Sequence, residues 1–153
     1  MRSYVSALLL LAALPSVAHA ADAITITGAV SRATPAGAPT AIGFMTITNA
    51  ENVPDRLVSV TSPAVDHVEI HEMTVTNGIM TMRQLPGGLP VPAYGSVALK
   101  PGSTHLMLIK PQAPFRAGDT VPVTLVFEHA GSTQVDLKVE PIGGAPKSTG
   151  KTP

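Results

Sequence analysis

Histidine and methionine residues concentrate in the middle of the chain, in a spacing that could build a site for a soft metal ion. His71 and Met73 are separated by one residue, and His105 and Met107 repeat that spacing. Because side chains two positions apart on a β-strand point to the same face, each pair would present an imidazole beside a thioether. The two His-x-Met pairs are therefore candidate metal ligands.

Two further methionines, Met80 and Met82, lie between these pairs and would share one face of a strand by the same rule. The dipeptide Asn77-Gly78 precedes them, and Asn-Gly between two strand-like segments predicts a tight hairpin. Such a hairpin would fold Met82 or Met80 back beside His71. Both methionines are candidates for completing the site.

A donor set of imidazole nitrogen and thioether sulfur favours Cu(I) over the other common biological metals. Thioethers are neutral and soft, so they bind Mg²⁺ and Ca²⁺ poorly, whereas Cu(I) accepts a few soft ligands in a roughly tetrahedral arrangement. The chain contains no cysteine, which excludes thiolate metal sites, blue-copper centres and disulfide scaffolds. We therefore expect one Cu(I) per chain.

Other histidines and methionines are better explained by structure than by metal binding. Met45 follows Phe44 in an apolar segment, which is typical of a methionine that fills a core. We interpret His67 and His129 as surface residues, since an isolated histidine is usually solvent-exposed or hydrogen-bonded.

The segments around these donors predict an all-β domain, a sandwich or a barrel. Short runs with alternating apolar and polar residues are separated by turn residues such as Pro101-Gly102, and no helical apolar stripe is present. We predict nine strands, at residues 24–30, 41–49, 56–61, 67–73, 79–85, 96–100, 105–110, 120–128 and 133–140.

The two ends of the chain differ in composition from this domain. Residues 1–20 contain a basic residue, Arg2, then a short apolar run, and end in small residues at Ala18 and Ala20. This pattern predicts a signal peptide cleaved after Ala20. We therefore expect a periplasmic protein whose single domain covers residues 21–141. Residues 142–153 are small and polar and contain neither His nor Met, so we expect a disordered tail that does not bind copper.

The remaining sequence gives little support to other functions. It contains no nucleophile elbow, phosphate-binding loop or His-Glu-x-x-His motif, so we expect a protein that is not an enzyme. Lys and Arg number 10, as do Asp and Glu, and this balance argues against a nucleic-acid partner. No long apolar segment follows the first twenty residues, so we expect no membrane insertion after cleavage. We also expect the protein to be a monomer.

The stretch from Val68 to Ile109 resembles the periplasmic copper chaperones of the PCuAC type. Their signature is His-x10-Met-x21-His-x-Met. Here 10 residues separate His71 from Met82, and His105 and Met107 form the closing His-x-Met. The resemblance extends over most of the chain, roughly residues 24–141.

The sequence departs from the signature once, because 22 residues separate Met82 from His105. The extra residue fits the Pro86-Gly87-Gly88 turn, where an insertion costs little. Met82 matches the signature distance from His71 and is preferred as the second ligand, with Met80 as the alternative.

The resemblance implies a cupredoxin-like Greek-key β-barrel that binds Cu(I) through His71, Met82, His105 and Met107. Met73 is a candidate supporting sulfur because it shares the face of His71. The resemblance further implies delivery of copper to an apo-protein outside the cytoplasm. The acceptor would be the binuclear copper centre of cytochrome c oxidase or a Sco-type thiol protein. Two alternatives remain open: a copper-buffering or resistance protein without a dedicated acceptor, and a structural β-domain in which the His and Met residues are incidental.

Overall fold

The structure is a computed structural model that describes residues 23–143. Within this range the chain forms ten strands connected by turns and loops: β1 (Ile24–Arg32), β2 (Thr40–Asn49), β3 (Asp55–Thr61), β4 (Val65–Thr76), β5 (Ile79–Gln84), β6 (Leu89–Val91), β7 (Ser96–Leu99), β8 (His105–Pro111), β9 (Thr120–Phe127) and β10 (Gly131–Glu140). The all-β prediction is confirmed. No helix in the described part of the chain has the length and apolar character needed to cross a membrane.

All ten strands belong to one sheet, in the order β5-β4-β8-β2-β1-β10-β9-β3-β6, with β7 paired to β2. Every pairing is antiparallel except that of β1 with β10. Strands from opposite ends of this order contribute to a single buried core, which includes Ile70 of β4 and Leu57 of β3. The sheet therefore curls around one core, and β4, β5 and β8 lie together at one of its ends.

One strand, β6, is absent from the nine that the sequence predicts. It contains Pro90, which cannot donate a ladder hydrogen bond and so argues against a central strand. The structure pairs β6 only with β3, at the end of the sheet order, where a proline is tolerated. The predicted signal peptide lies outside the described residues, as does most of the predicted tail.

The hairpin between β4 and β5 confirms the turn predicted at Asn77-Gly78. Asn77 and Gly78 have φ values of 53° and 75°, the left-handed conformation that a two-residue type I′ turn requires. The turn sets a register in which Met73 faces Met82 and His71 faces Gln84. The position of the methionines relative to His71 therefore follows from this turn.

Alternation along β4 and β8 separates the core from the candidate ligands. Ile70 on β4 and Leu106 and Leu108 on β8 are buried in the core. Since neighbouring side chains on a strand point to opposite faces, His71 and His105 lie on the other face of the sheet. That outer face carries the candidate site.

The carboxylate of Asp55, at the start of β3, ties this strand to the turn that follows β9. It accepts hydrogen bonds from the backbone N–H groups of Arg56, His129 and Ala130, at 2.7, 2.9 and 2.9 Å. Burial alone would raise the pKa of this carboxyl, but the backbone N–H groups outweigh it and hold the pKa below its usual value of 3.8. Asp55 is thus ionised at neutral pH.

We expect Asp55→Ala to lower the free energy of unfolding by about 1–3 kcal/mol, because it leaves partly buried N–H groups without an acceptor. A carboxyl whose pKa is depressed by folding contributes stability above its unfolded pKa and loses it as pH falls through the folded pKa. Urea unfolding at neutral pH and near pH 3 should therefore show a smaller difference between wild type and variant in acid. An equal difference at both pH values would show that the ionised carboxylate is not the stabilising group.

Candidate metal centre

The pairing of β4 with β8 brings His71 and His105 directly opposite one another. Directly opposed residues in an antiparallel pair share a face, and the two imidazole ring centroids are 5.9 Å apart with a 52° angle between the ring planes. The His71 side chain is 15% exposed and His105 is 4% exposed. The structure therefore places two shielded imidazoles side by side, one on β4 and one at the start of β8.

The hydrogen bond of His105 orients its ring for metal binding. Its Nδ1 lies 3.0 Å from the backbone carbonyl oxygen of Ser103, which can only accept a hydrogen bond. Nδ1 is therefore the protonated nitrogen, and in the neutral ring Nε2 carries a free lone pair. Such an N–H to carbonyl contact is the usual way in which a protein fixes the tautomer of a metal-binding histidine.

In His71 the proton lies on the other ring nitrogen, Nε2. Its Nε2 lies 2.7 Å from Oε2 of Glu69, and this hydrogen bond is the largest cause that holds the pKa of the Glu69 carboxyl below its usual value. The ionised carboxylate accepts, so Nε2 donates and Nδ1 carries the lone pair. Nδ1 of His71 is buried and has no hydrogen-bond partner among the described residues. A buried nitrogen lone pair that no protein group satisfies is available to bind a metal ion.

The methionines surround this histidine pair on the same face. Met107 lies opposite Glu69 on β4, and Met73 lies opposite Met82 on β5. Met82 is diagonal to His71, since His71 itself faces Gln84. The diagonal separation is about 7–8 Å between backbones, which a methionine side chain can bridge.

The register also separates the two alternatives for the second ligand. Met80 faces Val75, two positions further from His71 than Met82. Met82 is 46% exposed and Met80 is 61% exposed. The geometry favours Met82, as does its distance from His71 along the chain.

The residues assigned to structural roles lie away from this face or at its exposed end. Met45 is 2% exposed in the core, and His129 is exposed in the turn after β9. His67 is half exposed and bonds to Asp66 and Glu69, and the Asp66 hydrogen bond is the main cause that raises the pKa of His67. Among the described residues, no group of three or more His, Asp or Glu side chains is arranged to hold a metal ion. Methionine thioethers are the further donors that this face offers beside the two imidazoles.

The sequence patterns did not single out Glu69. The signal was present, because Glu69 lies two residues before His71 and β-strand alternation puts both on one face. Its carboxylate orients the His71 ring and places negative charge beside it.

Sequence comparisons identify a family and a relative that match most of the chain. The sequence model of a family described as "Putative lipoprotein LpqE-like" matches residues 24–139. A protein named "Putative lipoprotein Lxx21020" from Leifsonia xyli is 31% identical over 125 residues, covering 82% of this chain and 74% of the relative.

Two solved structures share the fold along most of their length. The copper-bound PCuAC domain from PmoF2 is 28% identical with a TM-score of 0.67, covering 78% of this chain and 93% of that domain. The Cu(I) form of DR1885 from Deinococcus radiodurans is 28% identical with a TM-score of 0.62, covering 82% of this chain and 83% of that structure. The chain therefore belongs to the LpqE-like family, and its cupredoxin-like β fold is that of the PCuAC domains.

Proposed function

We propose that this protein is a copper carrier that binds a single Cu(I) between β4, β5 and β8. The ligands are His71, Met82, His105 and Met107, and Met73 is a supporting sulfur. The observation that carries the proposal is the buried, unpartnered Nδ1 of His71 beside the His105 ring, with thioethers on the same face. These donors are neutral, and they suit Cu(I) better than Cu(II), which prefers nitrogen and oxygen in tetragonal geometry.

The similar solved structures support copper as the cargo, since one is a copper-bound PCuAC domain and another is the Cu(I) form of DR1885. The same ligand set suits a carrier better than a catalyst. The imidazoles hold the ion, while the partly exposed Met82 can be displaced by an incoming ligand. The ion stays Cu(I) throughout, with one bond to the carrier breaking as each bond to the acceptor forms.

The proposed place of work is outside the cytoplasm, in the periplasm or an equivalent compartment. The name of the Leifsonia relative contains the word lipoprotein, and residues 1–20 have the composition of a signal peptide. A site built without cysteine withstands an oxidising compartment. The proposed acceptor is an apo copper protein, either the copper subunit of cytochrome c oxidase or a Sco-type thiol protein, and the carrier acts as a monomer.

The proposal is tested by anaerobic titration of the protein with Cu(I) in competition with a chromogenic chelator. We expect one tight Cu(I) per chain, and we expect Zn²⁺ at equal concentration to leave the copper in place, because thioethers compete poorly for Zn²⁺. Displacement of Cu(I) by equimolar Zn²⁺ would show that the donors are not the neutral His and Met set.

We expect Glu69→Gln to weaken Cu(I) binding by about 10–100-fold, the usual effect of removing the carboxylate behind a ligating histidine. The amide can still accept a hydrogen bond from His71, so the variant removes mainly the charge. The same chelator competition measures the change, and Glu72→Gln on the opposite face of β4 is the matched control. Equal affinities for wild type and Glu69→Gln would exclude this role.

A further inference from the structure

The β4–β5 hairpin extends beyond the rest of the sheet, because β8 begins at His105, opposite His71. From Met73 to Thr76, β4 pairs with β5 alone. Every residue of β5 is exposed, and β5 is the last strand at this end of the sheet. The projecting ribbon is thus open to solvent, and it begins where the candidate metal centre ends.

One face of this ribbon is polar, as expected for an exposed two-stranded hairpin. Glu72 faces Arg83 and forms an ion pair at 2.8 Å. Thr74 faces Thr81, and their hydroxyl groups are 3.0 Å apart. These are cross-strand pairs of the kind that stabilise a sheet in water.

The other face carries three methionines, Met73, Met80 and Met82, together with Val75. Met80 is 61% exposed and Met82 is 46% exposed, whereas Met45 in the core is 2% exposed. Exposed methionines gain little from packing, and methionine has no special preference for strands. Core filling does not explain their presence here.

The register places the three thioethers close enough to act together. Met73 and Met82 face each other directly, with Cβ atoms about 4.5–5.5 Å apart in such pairs, and Met80 lies diagonally from Met73 at about 7–8 Å. Methionine side chains are long and unbranched, so their sulfur atoms can converge on a point above the ribbon. Three thioethers around one point form a ligand set for a soft monovalent ion.

We propose that Met73, Met80 and Met82 form an exposed second position for Cu(I), which the ion occupies while it enters or leaves the metal centre. The inference rests on the proposed function, in which Met82 is a ligand and Met73 a supporting sulfur of the metal centre, so these two residues contribute to both positions. As the ion moves outward, its bonds to His71, His105 and Met107 break while bonds to Met73 and Met80 form, and the copper remains Cu(I). Without an imidazole the outer position binds more weakly and is open to an acceptor.

Such a position lowers the free-energy barrier both for Cu(I) entry into the metal centre and for its release. It does not change the equilibrium between the empty and the loaded metal centre. Removing it should therefore slow loading and release by the same factor. A docking surface for a partner protein would behave differently, since the transfer of copper to a small chelator requires no docking.

The test is stopped-flow transfer of Cu(I) from the loaded full-length protein to bicinchoninate, under anaerobic conditions. Met80→Leu removes one thioether of the outer position and keeps an apolar side chain of similar size. We expect the transfer rate to fall by about tenfold, equivalent to about 1.4 kcal/mol of lost transition-state stabilisation, with the equilibrium affinity within about twofold of wild type. Ile79→Leu, an exposed substitution on the polar face of the same hairpin, is the control and should transfer at the wild-type rate.

A second readout observes the thioethers directly. In His105→Ala labelled with ¹³C at the methionine methyl groups, the metal centre is impaired, and Ag(I) serves as a redox-inert soft probe. We expect the methyl resonances of Met73, Met80 and Met82 to shift together as Ag(I) is added.

Two results would overturn the inference: an unchanged transfer rate in Met80→Leu, or a Met80 methyl resonance that does not respond to Ag(I). Either result leaves the proposed function intact if wild type still binds Cu(I) tightly. Failure of the proposed function would instead appear as weak Cu(I) binding by the wild-type protein.

Discussion

His105→Ala should raise the dissociation constant for Cu(I) by more than about 100-fold. Removing a group that only hydrogen-bonds to a metal-binding residue typically weakens metal binding by about 10–100-fold, and loss of the ligand itself should exceed that effect. His105 is 4% exposed, and its Nδ1 is held by the Ser103 carbonyl, so its Nε2 is presented in a fixed direction. No other histidine can replace it from β8. Anaerobic competition with a Cu(I) chelator measures the change.

His67→Ala and His129→Ala provide the matched controls for this experiment. His129 is exposed in the turn after β9, and His67 is half exposed with carboxylate partners. We expect both variants to bind Cu(I) like the wild type. If His129→Ala weakened binding as much as His105→Ala, the assignment of the metal centre would be wrong.

Met82→Leu should weaken Cu(I) binding by about tenfold or more, which corresponds to about 1.4 kcal/mol. The substitution removes the sulfur and keeps the volume, and Met82 lies diagonally across from His71 in the β4–β5 register. Since Met82 is exposed, the fold should be unaffected. Chelator competition gives the affinity, and thermal unfolding without copper shows whether stability has changed.

Met45→Leu is the control for Met82→Leu, because it removes a sulfur atom from the core. Met45 is 2% exposed, so a near-isosteric change there should cost less than about 1.5 kcal/mol of stability and leave copper binding unchanged. The opposite pattern, with Met45→Leu weakening copper and Met82→Leu having no effect, would contradict the site.

Much of the site can be predicted because β-strands impose a period of two on the side chains. That rule puts His71 and Met73 on one face of a strand, and the Asn77-Gly78 turn brings Met80 and Met82 back beside them. The structure confirms the turn and supplies the register. The choice between Met82 and Met80 depends on that register, because both methionines satisfy the same periodicity.

Other features depend on contacts that no local pattern encodes. The tertiary pairing of β4 with β8 sets His71 opposite His105, although the two residues are far apart in the chain. Nδ1 of His71 is buried only in the folded sheet, and the local hydrogen bond from His105 to the Ser103 carbonyl depends on a backbone geometry that no sequence motif specifies. Strand β6 is not predicted from the sequence because Pro90 argues against a strand. The structure places this strand at the end of the sheet order, where a proline is tolerated.

The measurement that tests the metal centre most directly is X-ray absorption at the copper edge on the protein loaded with one equivalent of Cu(I). We expect an edge typical of Cu(I) and a coordination shell that contains both nitrogen from His71 and His105 and sulfur from Met82 and Met107. The sulfur contribution should diminish in Met82→Leu and in Met107→Leu, and persist in Met45→Leu. A coordination shell of nitrogen and oxygen alone in the wild-type protein would contradict the proposed centre.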